Sequence, residues 1–396
     1  MIIAPNSFRP VHPVAVNRGK VDLLVTWLMD GARSSRGQHA LVEELCRRAI
    51  AAGIPLDRFA LVFKTLHPHV AARRFLWTAQ GAAMHGETAT LVSRYQYFRN
   101  PFPLLTATQA AIRRRLTNPA ALEEFMILGE LREQGFTDYL AQPLIFTTGE
   151  THAATFSTMH PTGFTVDHLA ALERLRLPLA RLVESYLLRL NAVSILSTYV
   201  GRASGEQILH GRVRRGDGEE ISAAILFADL VGFTGISNRL SGKQTVEHLN
   251  DAFDVVVPSV EGHGGEILKF LGDGFLAIFP YGGATRIAEA VRAARETVLQ
   301  GEARLAEAAI GQRVAFRWAL HAGRFHYGNV GGANRLDFTA VGRPVNYAAR
   351  LLSTAADLAL PRVASAEVAA HLCPLTRMAA EVEFRGFEGK QKIYAW

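Results

Sequence analysis

Two aspartates carry the first chemical signal in this 396-residue chain. Asp229 closes the apolar run ISAAILFAD, and Asp273 occupies the turn Gly272-Asp273-Gly274 between EILKF and FLAIF. Short apolar runs bounded by glycine read as buried strands. A lone Asp-Gly is usually a hairpin turn, and a lone Asp after a strand is usually a helix N-cap. Two carboxylates at the ends of neighbouring central strands ask for more, because a carboxylate near a core is costly unless a cation neutralises it. Hard oxygen ligands suit Mg²⁺, which is held by a few carboxylates together with substrate phosphates. Two such ions about 3.5–4 Å apart can clamp the attacking and leaving oxygens of an in-line phosphoryl displacement. Further along, Asn346 and Arg350 stand at i and i+4 in VNYAARLL, so they share one helix face. A guanidinium there matches phosphate oxygens and is always charged, although a plain surface helix accounts for the same pattern. Lys269 lies four residues before Asp273 in a strand expected to be buried, where a lysine needs a partner.

Three stretches in this order, FADLVGFT, LKFLGDGFLAIF and RLDFTAVGRPVNYAARL, resemble the catalytic domain of class III nucleotidyl cyclases. The resemblance runs from about Ile221 to Trp396. It implies that Asp229 and Asp273 are metal ligands, assisted by the Leu230 carbonyl, for two Mg²⁺ or Mn²⁺ ions per site. The N–H groups from Val231 through Gly232 and Phe233 to Thr234 open a helix, and such a terminus can hold a phosphate. Within the family, Lys269 reads the adenine ring. Its usual companion is an Asp, and the matching position here is Thr339, whose hydroxyl donates or accepts. Some bacterial and soluble animal adenylyl cyclases carry this Lys/Thr pair, and guanylyl cyclases have a Glu in place of Lys269. The resemblance further implies that Asn346 positions the ribose and that Arg350 neutralises charge growing on the α-phosphate. Arg324 and Arg385 become triphosphate contacts, Arg385 standing where the family often has a Lys.

The activity implied is adenylate cyclase: ATP gives 3′,5′-cyclic AMP and pyrophosphate. Family geometry puts the two halves of the site on opposite faces of the domain, so the expected assembly is a head-to-tail homodimer with shared active sites. The alternatives are a guanylate cyclase, an inactive cyclase fold used as a nucleotide-sensing or dimerisation module, and a basic nucleic-acid-binding regulator. Other motifs lead nowhere. Gly264-Gly265-Glu266 lacks the Glu-Phe and the hairpin position of a GG(D/E)EF signature, GISNRLSGKQT has the wrong glycine spacing for a P-loop, and His321 and His326 read as packing groups.

The elements that must position these residues follow from periodicity. After Ile221 the order strand, helix, strand, strand, helix, strand implies an α+β, ferredoxin-like (βαββαβ) core. Its expected parts are a helix at 244–261, a hairpin turning at Asp273, a long helix at 284–309, two strands in VAFRWALHAG and FHYGNVGG, the helix VNYAARLLSTA, and the tail strands VEFRGF and KIYAW. Residues 1–20 read as an irregular tail. Residues 21–178 read as an α+β regulatory domain: helices over 21–52, a strand at 56–66, a strand at 94–98, a basic helix at 107–116, a helix at 118–135, and a hairpin of PLIFT and ATFSTM. This order resembles a GAF-like sensory domain, which would take a small-molecule ligand; a purely structural dimerisation domain fits equally. Residues 179–220 read as a helical linker after a break near Pro178, ending in a hinge at the glycine- and charge-rich stretch 201–220. The stripe Leu179, Leu182, Val183, Tyr186, Leu187, Leu190 fits either a two-chain coiled coil or the core of the first domain. Residues 221–396 are the catalytic domain.

Composition sets bounds. Hydrophobic content of 49% supports real cores. No apolar run reaches the roughly 18–20 residues of a membrane span, and the start lacks a signal-peptide pattern. Cys46 and Cys373 form no framework, and the His67-Pro68-His69 pair is short of a metal site. A cytoplasmic protein is expected. The net charge of +7 comes from scattered arginines with no aromatic stripe, which suits a polyanionic substrate and gives no reason to invoke nucleic acid.

Overall fold

The structure is a computed structural model that describes residues 15–35, 37–66, 70–78, 81–88, 100–282, 286–308, 314–372 and 374–396. The readings made for residues 1–14, His67–His69, the strand at 94–98 and Cys373 lie outside the described residues. The chain divides into two compact units, Met1–Ile195 and Leu196–Trp396.

The first unit is built on a six-stranded antiparallel sheet. Its strands are β1 (Arg58–Lys64), β2 (Val70–Thr78), β3 (Gly81–Thr88), β4 (Ile112–Arg115), β5 (Asp138–Ile145) and β6 (Thr151–Thr158), in the order β3-β2-β1-β6-β5-β4. The helices Arg18–Met29 and Gln38–Ala51 bury Leu24, Leu28, Val42 and Leu45 in one core with Phe59, Phe63 and Phe156 from the sheet. Several expectations change here. The end of the expected tail is tied down: Asn17 caps the first helix by accepting from Lys20 N at 3.0 Å, and Val16 packs on the core. The basic helix expected at 107–116 is instead a helix Phe102–Thr108 followed by β4, because Gln109 adopts φ 52° and stops it. The helix expected at 118–135 is two short ones, Pro119–Leu122 and Met126–Glu133.

The break expected near Pro178 is absent. One helix runs from Val166 to Val200 with Pro178 inside it. Proline removes one backbone hydrogen bond, but Leu172, Leu175, Leu179 and Ala180 are all buried on either side, and that packing holds the helix through the gap. The apolar stripe resolves the same way: Leu179, Val183 and Leu187 belong to the core of the first unit, with Leu182 and Leu190 packed against it.

The second unit carries an eight-stranded sheet formed by β7 (Gly218–Leu230), β8 (Glu266–Leu271), β9 (Gly274–Tyr281), β10 (Phe316–Gly331), β11 (Leu336–Val341), β12 (Arg362–Ser365), β13 (Arg377–Glu383) and β14 (Lys390–Ala395). The order is β13-β14-β12-β10-β7-β9-β8, with β11 paired to β10. The segment β10-β7-β9-β8, with helices Gly242–Gly262 and Ile287–Glu307 as crossovers, is the expected ferredoxin-like core. Alternation along β7 separates two apolar faces. Ala224, Leu226 and Ala228 meet Val256, Val291 and Val298 of those two helices, while Ala223, Ile225 and Phe227 lie with Val345, Ala348 and Leu351 of the helix Arg343–Asp357. The two strands expected between Val314 and Gly332 are a single 16-residue strand. The hinge expected at 201–220 holds a helix, Arg202–Leu209, and the start of β7.

Candidate active site

The two aspartates meet at one end of the central ladder. Asp229 pairs in register with Gly274, the residue after Asp273, and Leu230 N donates to the Asp273 carbonyl at 3.3 Å. The turn has no room to vary: a Cβ on Gly274 would stand 2.2 Å from the Ala228 carbonyl oxygen. Burial raises the Asp229 carboxyl above its ordinary range and the Asp273 charge raises it further, with Arg317 opposing. Asp229 does not serve as a helix N-cap; the short helix Phe233–Ser237 starts from Gly232 at φ 74° without a side-chain cap. Val231 N donates to the Ala315 carbonyl at 2.9 Å, so it leaves the expected phosphate-binding set, and Gly232, Phe233 and Thr234 remain.

These residues fit a divalent cation. Among the described residues no group of three or more His, Cys, Asp or Glu side chains could hold a metal. Two carboxylates, one of them penalised by burial and by its like-charged neighbour, are the donor set that Mg²⁺ or Mn²⁺ completes with phosphate oxygens and water.

Arg317 was missed by the sequence reading. It is the ladder partner of Asp229 across β7 and β10, so the two side chains emerge on the same face. Its Nε is buried without a hydrogen-bond partner among the described residues. Arg324, the arginine singled out from sequence, lies seven residues up the strand opposite Ser222, about 23 Å away at the strand rise. It pairs with Glu220 at 2.7 Å, so it is no triphosphate contact for the carboxylates of its own chain.

Lys269 is also placed differently from expectation. Its strand is the sheet edge, the side chain is 41% exposed, and Nζ pairs with the Asp337 carboxylate of β11. Phe338 turns inward against Tyr327 at 4.7 Å between ring centroids, so Asp337 and Thr339 share the opposite face of β11.

The same elements match a family model: residues 218–395 fit the adenylate and guanylate cyclase catalytic domain. The second unit carries a nucleotide cyclase catalytic domain. The chain is 39% identical over 137 residues to an uncharacterized protein of Mycobacterium tuberculosis, covering 34% of this chain and 24% of that one. It is 38% identical over 136 residues to a second uncharacterized protein, of Mycobacterium bovis, covering 33% and 23%. The chain thus spans about a quarter of the length of these curated relatives. Among solved structures, the adenylyl cyclase CyaB from P. aeruginosa is 22% identical, covering 45% of this chain and 94% of that one with a TM-score of 0.39. The guanylyl cyclase Cya2 is 24% identical, covering 45% and 92% with a TM-score of 0.38.

In the cyclase domain Asn346 and Arg350 are exposed on one face of the helix Arg343–Asp357, whose other face buries Val345, Ala348 and Leu351. The start of that helix is fixed by close approach: a Cβ on Gly323 would stand 2.5 Å from the Pro344 ring. Gly323 pairs with Ala223, six residues from Asp229 and so about 20 Å along the strand. Arg385 is exposed beyond β13, at the edge of the sheet opposite β8. A single cyclase domain therefore brings together Asp229, Asp273 and Arg317 and keeps Asn346 and Arg385 apart from them. His321 is a packing group, as its sequence context suggested. It is buried, its Nδ1 lies 2.8 Å from Ser365 Oγ and 3.2 Å from Glu367 Oε2, and its ring stacks on Tyr347 at 4.4 Å. That hydrogen bond holds the Glu367 carboxyl below its ordinary range.

Proposed function

We propose that the chain is an adenylate cyclase that forms 3′,5′-cyclic AMP and pyrophosphate from ATP in active sites shared by two copies. The observation that carries this reading is the pairing of Asp229 with Gly274, the residue that follows Asp273 in its turn, with Arg317 as the partner of Asp229 on the other side. Divalent cations held by the two carboxylates would lower the pKa of the ribose 3′-hydroxyl and offset triphosphate charge.

The rest of the chemistry belongs to the side chains. The 3′-hydroxyl gives up its proton to water as its oxygen attacks the α-phosphorus, the bond to the bridging oxygen breaks, and pyrophosphate departs with that electron pair. Arg317 and the N–H groups of Gly232, Phe233 and Thr234 orient the polyphosphate. Asn346 of the second copy holds the ribose, Arg350 of that copy meets the charge growing on the α-phosphate, and Arg385 meets the terminal phosphates. Such a reaction depends on positioning and electrostatics and needs no covalent intermediate. Lys269 with Thr339 on the neighbouring strand supports ATP over GTP. In this reading the first unit is a GAF-like regulatory domain with a small-molecule input.

The test is an assay of the purified full chain on both nucleotides with Mg²⁺ and with Mn²⁺. Cyclic AMP is expected as the main product; faster formation of cyclic GMP would overturn the choice of substrate, and no cyclic product from either would overturn the enzyme reading.

A further inference from the structure

Buried carboxylates in the first unit have their counter-charges. Asp138, fully buried, holds Arg113 at 2.7 Å and Arg115 at 3.7 Å. Glu184 is bound by Arg181 and accepts from Thr147 N at 2.8 Å. Arg58, at the start of β1, is different. It is only 8% exposed, and its side chain has no ion pair or hydrogen bond among the described residues. A charge taken out of water without a partner is costly. Burial lowers the pKa of this guanidinium, Arg74 adds to the fall, and Tyr139 and the exposed Glu130 oppose it.

The groups beside Arg58 are donors as well. Register sets Arg58 opposite Ser157 of β6, and Ser157 opposite Tyr139 of β5, so the three side chains stand in a row on one face. It is the face on which Val62, Tyr139 and Ala153 pack with Leu105 and Leu128 of the helices Phe102–Thr108 and Met126–Glu133. Ser157 is fully buried, and its Oγ has no hydrogen-bond partner among the described residues. Arg74, opposite Val62 and so on the same face, has a buried Nε in the same state. The next row along the sheet is made of small side chains, Ala60, Thr155 and Ala141.

We propose that this face of the first unit binds a small organic anion, whose carboxylate or phosphate accepts from the Arg58 guanidinium and the Ser157 hydroxyl while its apolar body lies over Ala60 and Ala141. Two guanidiniums and a hydroxyl without an acceptor form a set that an oxyanion completes, and the planar fork of arginine matches such a group. A cation would be repelled, and a neutral ligand would leave the charge unanswered. The proposal gives a chemical class to the small-molecule input of the first unit, and its regulatory consequence rests on that reading.

The test titrates the full chain by calorimetry with benzoate, phenyl phosphate and benzamide. Both anions are expected to bind, the tighter one naming the head group, and benzamide at least about tenfold more weakly than benzoate. Arg58→Met keeps the stem and removes the charge. It should weaken the tighter anion at least about tenfold, and Ser157→Ala should weaken it about threefold. Without ligand, Arg58→Met should melt at or above the parent, as replacement of an unpaired buried charge does. Circular dichroism checks folding, and Ser157→Ala carries the test if Arg58→Met does not fold. Failure of both anions to bind the parent, or affinities within about twofold of the parent in the two variants, would overturn the site. Cyclic nucleotide formation in the same samples separates the two readings. Anion binding with unchanged turnover keeps the site and removes the regulatory role of the first unit. Turnover that responds to the anion equally in Arg58→Met keeps a regulated cyclase and removes the site.

Discussion

Asp229 holds its charge under protest. Burial and the neighbouring Asp273 both raise its carboxyl above the ordinary value of 3.8, so between that value and its folded-state value the native protein binds more protons than the unfolded chain. Stability of the metal-free protein then falls as pH rises through that window. Asp229→Asn removes the penalty and half of the donor set together. The expected outcome is a metal-free protein with a melting temperature at or above the parent's near neutral pH, a gain that shrinks toward acid pH, and cyclase activity reduced by at least about a hundredfold. Scanning calorimetry with chelator, beside an activity assay, checks both; a variant that melts lower and keeps its activity would remove Asp229 from the metal site. Both aspartates were legible in the sequence because each sits in local strand-and-turn chemistry. Arg317 was not, since its place beside Asp229 depends on the register of a strand almost ninety residues further along. The ion pair between Lys269 and Asp337 escaped for the same reason: nothing near either residue in sequence announces the other.

At the scale of elements, legibility tracked how local the deciding force is. The hairpin at Asp273 and the helix after β7 were read correctly because glycine, capping and apolar period all agree there; Ser241 and Gln244 form a capping box at the start of Gly242–Gly262. Pro178 misled because its local cost is outweighed by burial on either side of it. The hinge expected at 201–220 misled because its glycines and charges hide specific contacts. Ala203 N donates to Glu266 at 3.0 Å, and the Ser204 hydroxyl, fully buried, bonds the Tyr327 hydroxyl. Tyr327 in turn packs edge-on against Phe338 of β11, so the helix Arg202–Leu209 is fastened to the strand that carries Asp337 and Thr339. Tyr327→Phe keeps the ring and leaves Ser204 without its partner. It should cost about 1–3 kcal/mol in denaturant unfolding of the full chain, and Ser204→Ala in the same background should recover much of the loss. If Tyr327→Phe is neutral, the helix is not held by this bond.

The whole molecule poses the remaining question, because no single cyclase domain completes the proposed site. The carboxylate pair and Arg317 stand at one end of the β7–β10 ladder, whereas the helix bearing Asn346 begins six residues, about 20 Å, along it. Val231, Leu271, Leu336 and Val341, on segments that carry site residues, are large apolar side chains left exposed, as expected of a surface that another molecule covers. A two-fold homodimer supplies both halves twice. Complementation between chains makes this quantitative. Asp273→Ala chains lack one half of the site and Arg350→Ala chains lack the other, so each is inactive alone. Mixed one to one under full subunit exchange, about half the dimers are mixed, and each holds one intact site of two. Activity should therefore return to about a quarter of the parent level. Exchange verified by differently tagged chains with no return of activity would show that each chain builds its site alone, and would place Asn346 and Arg350 outside the chemistry.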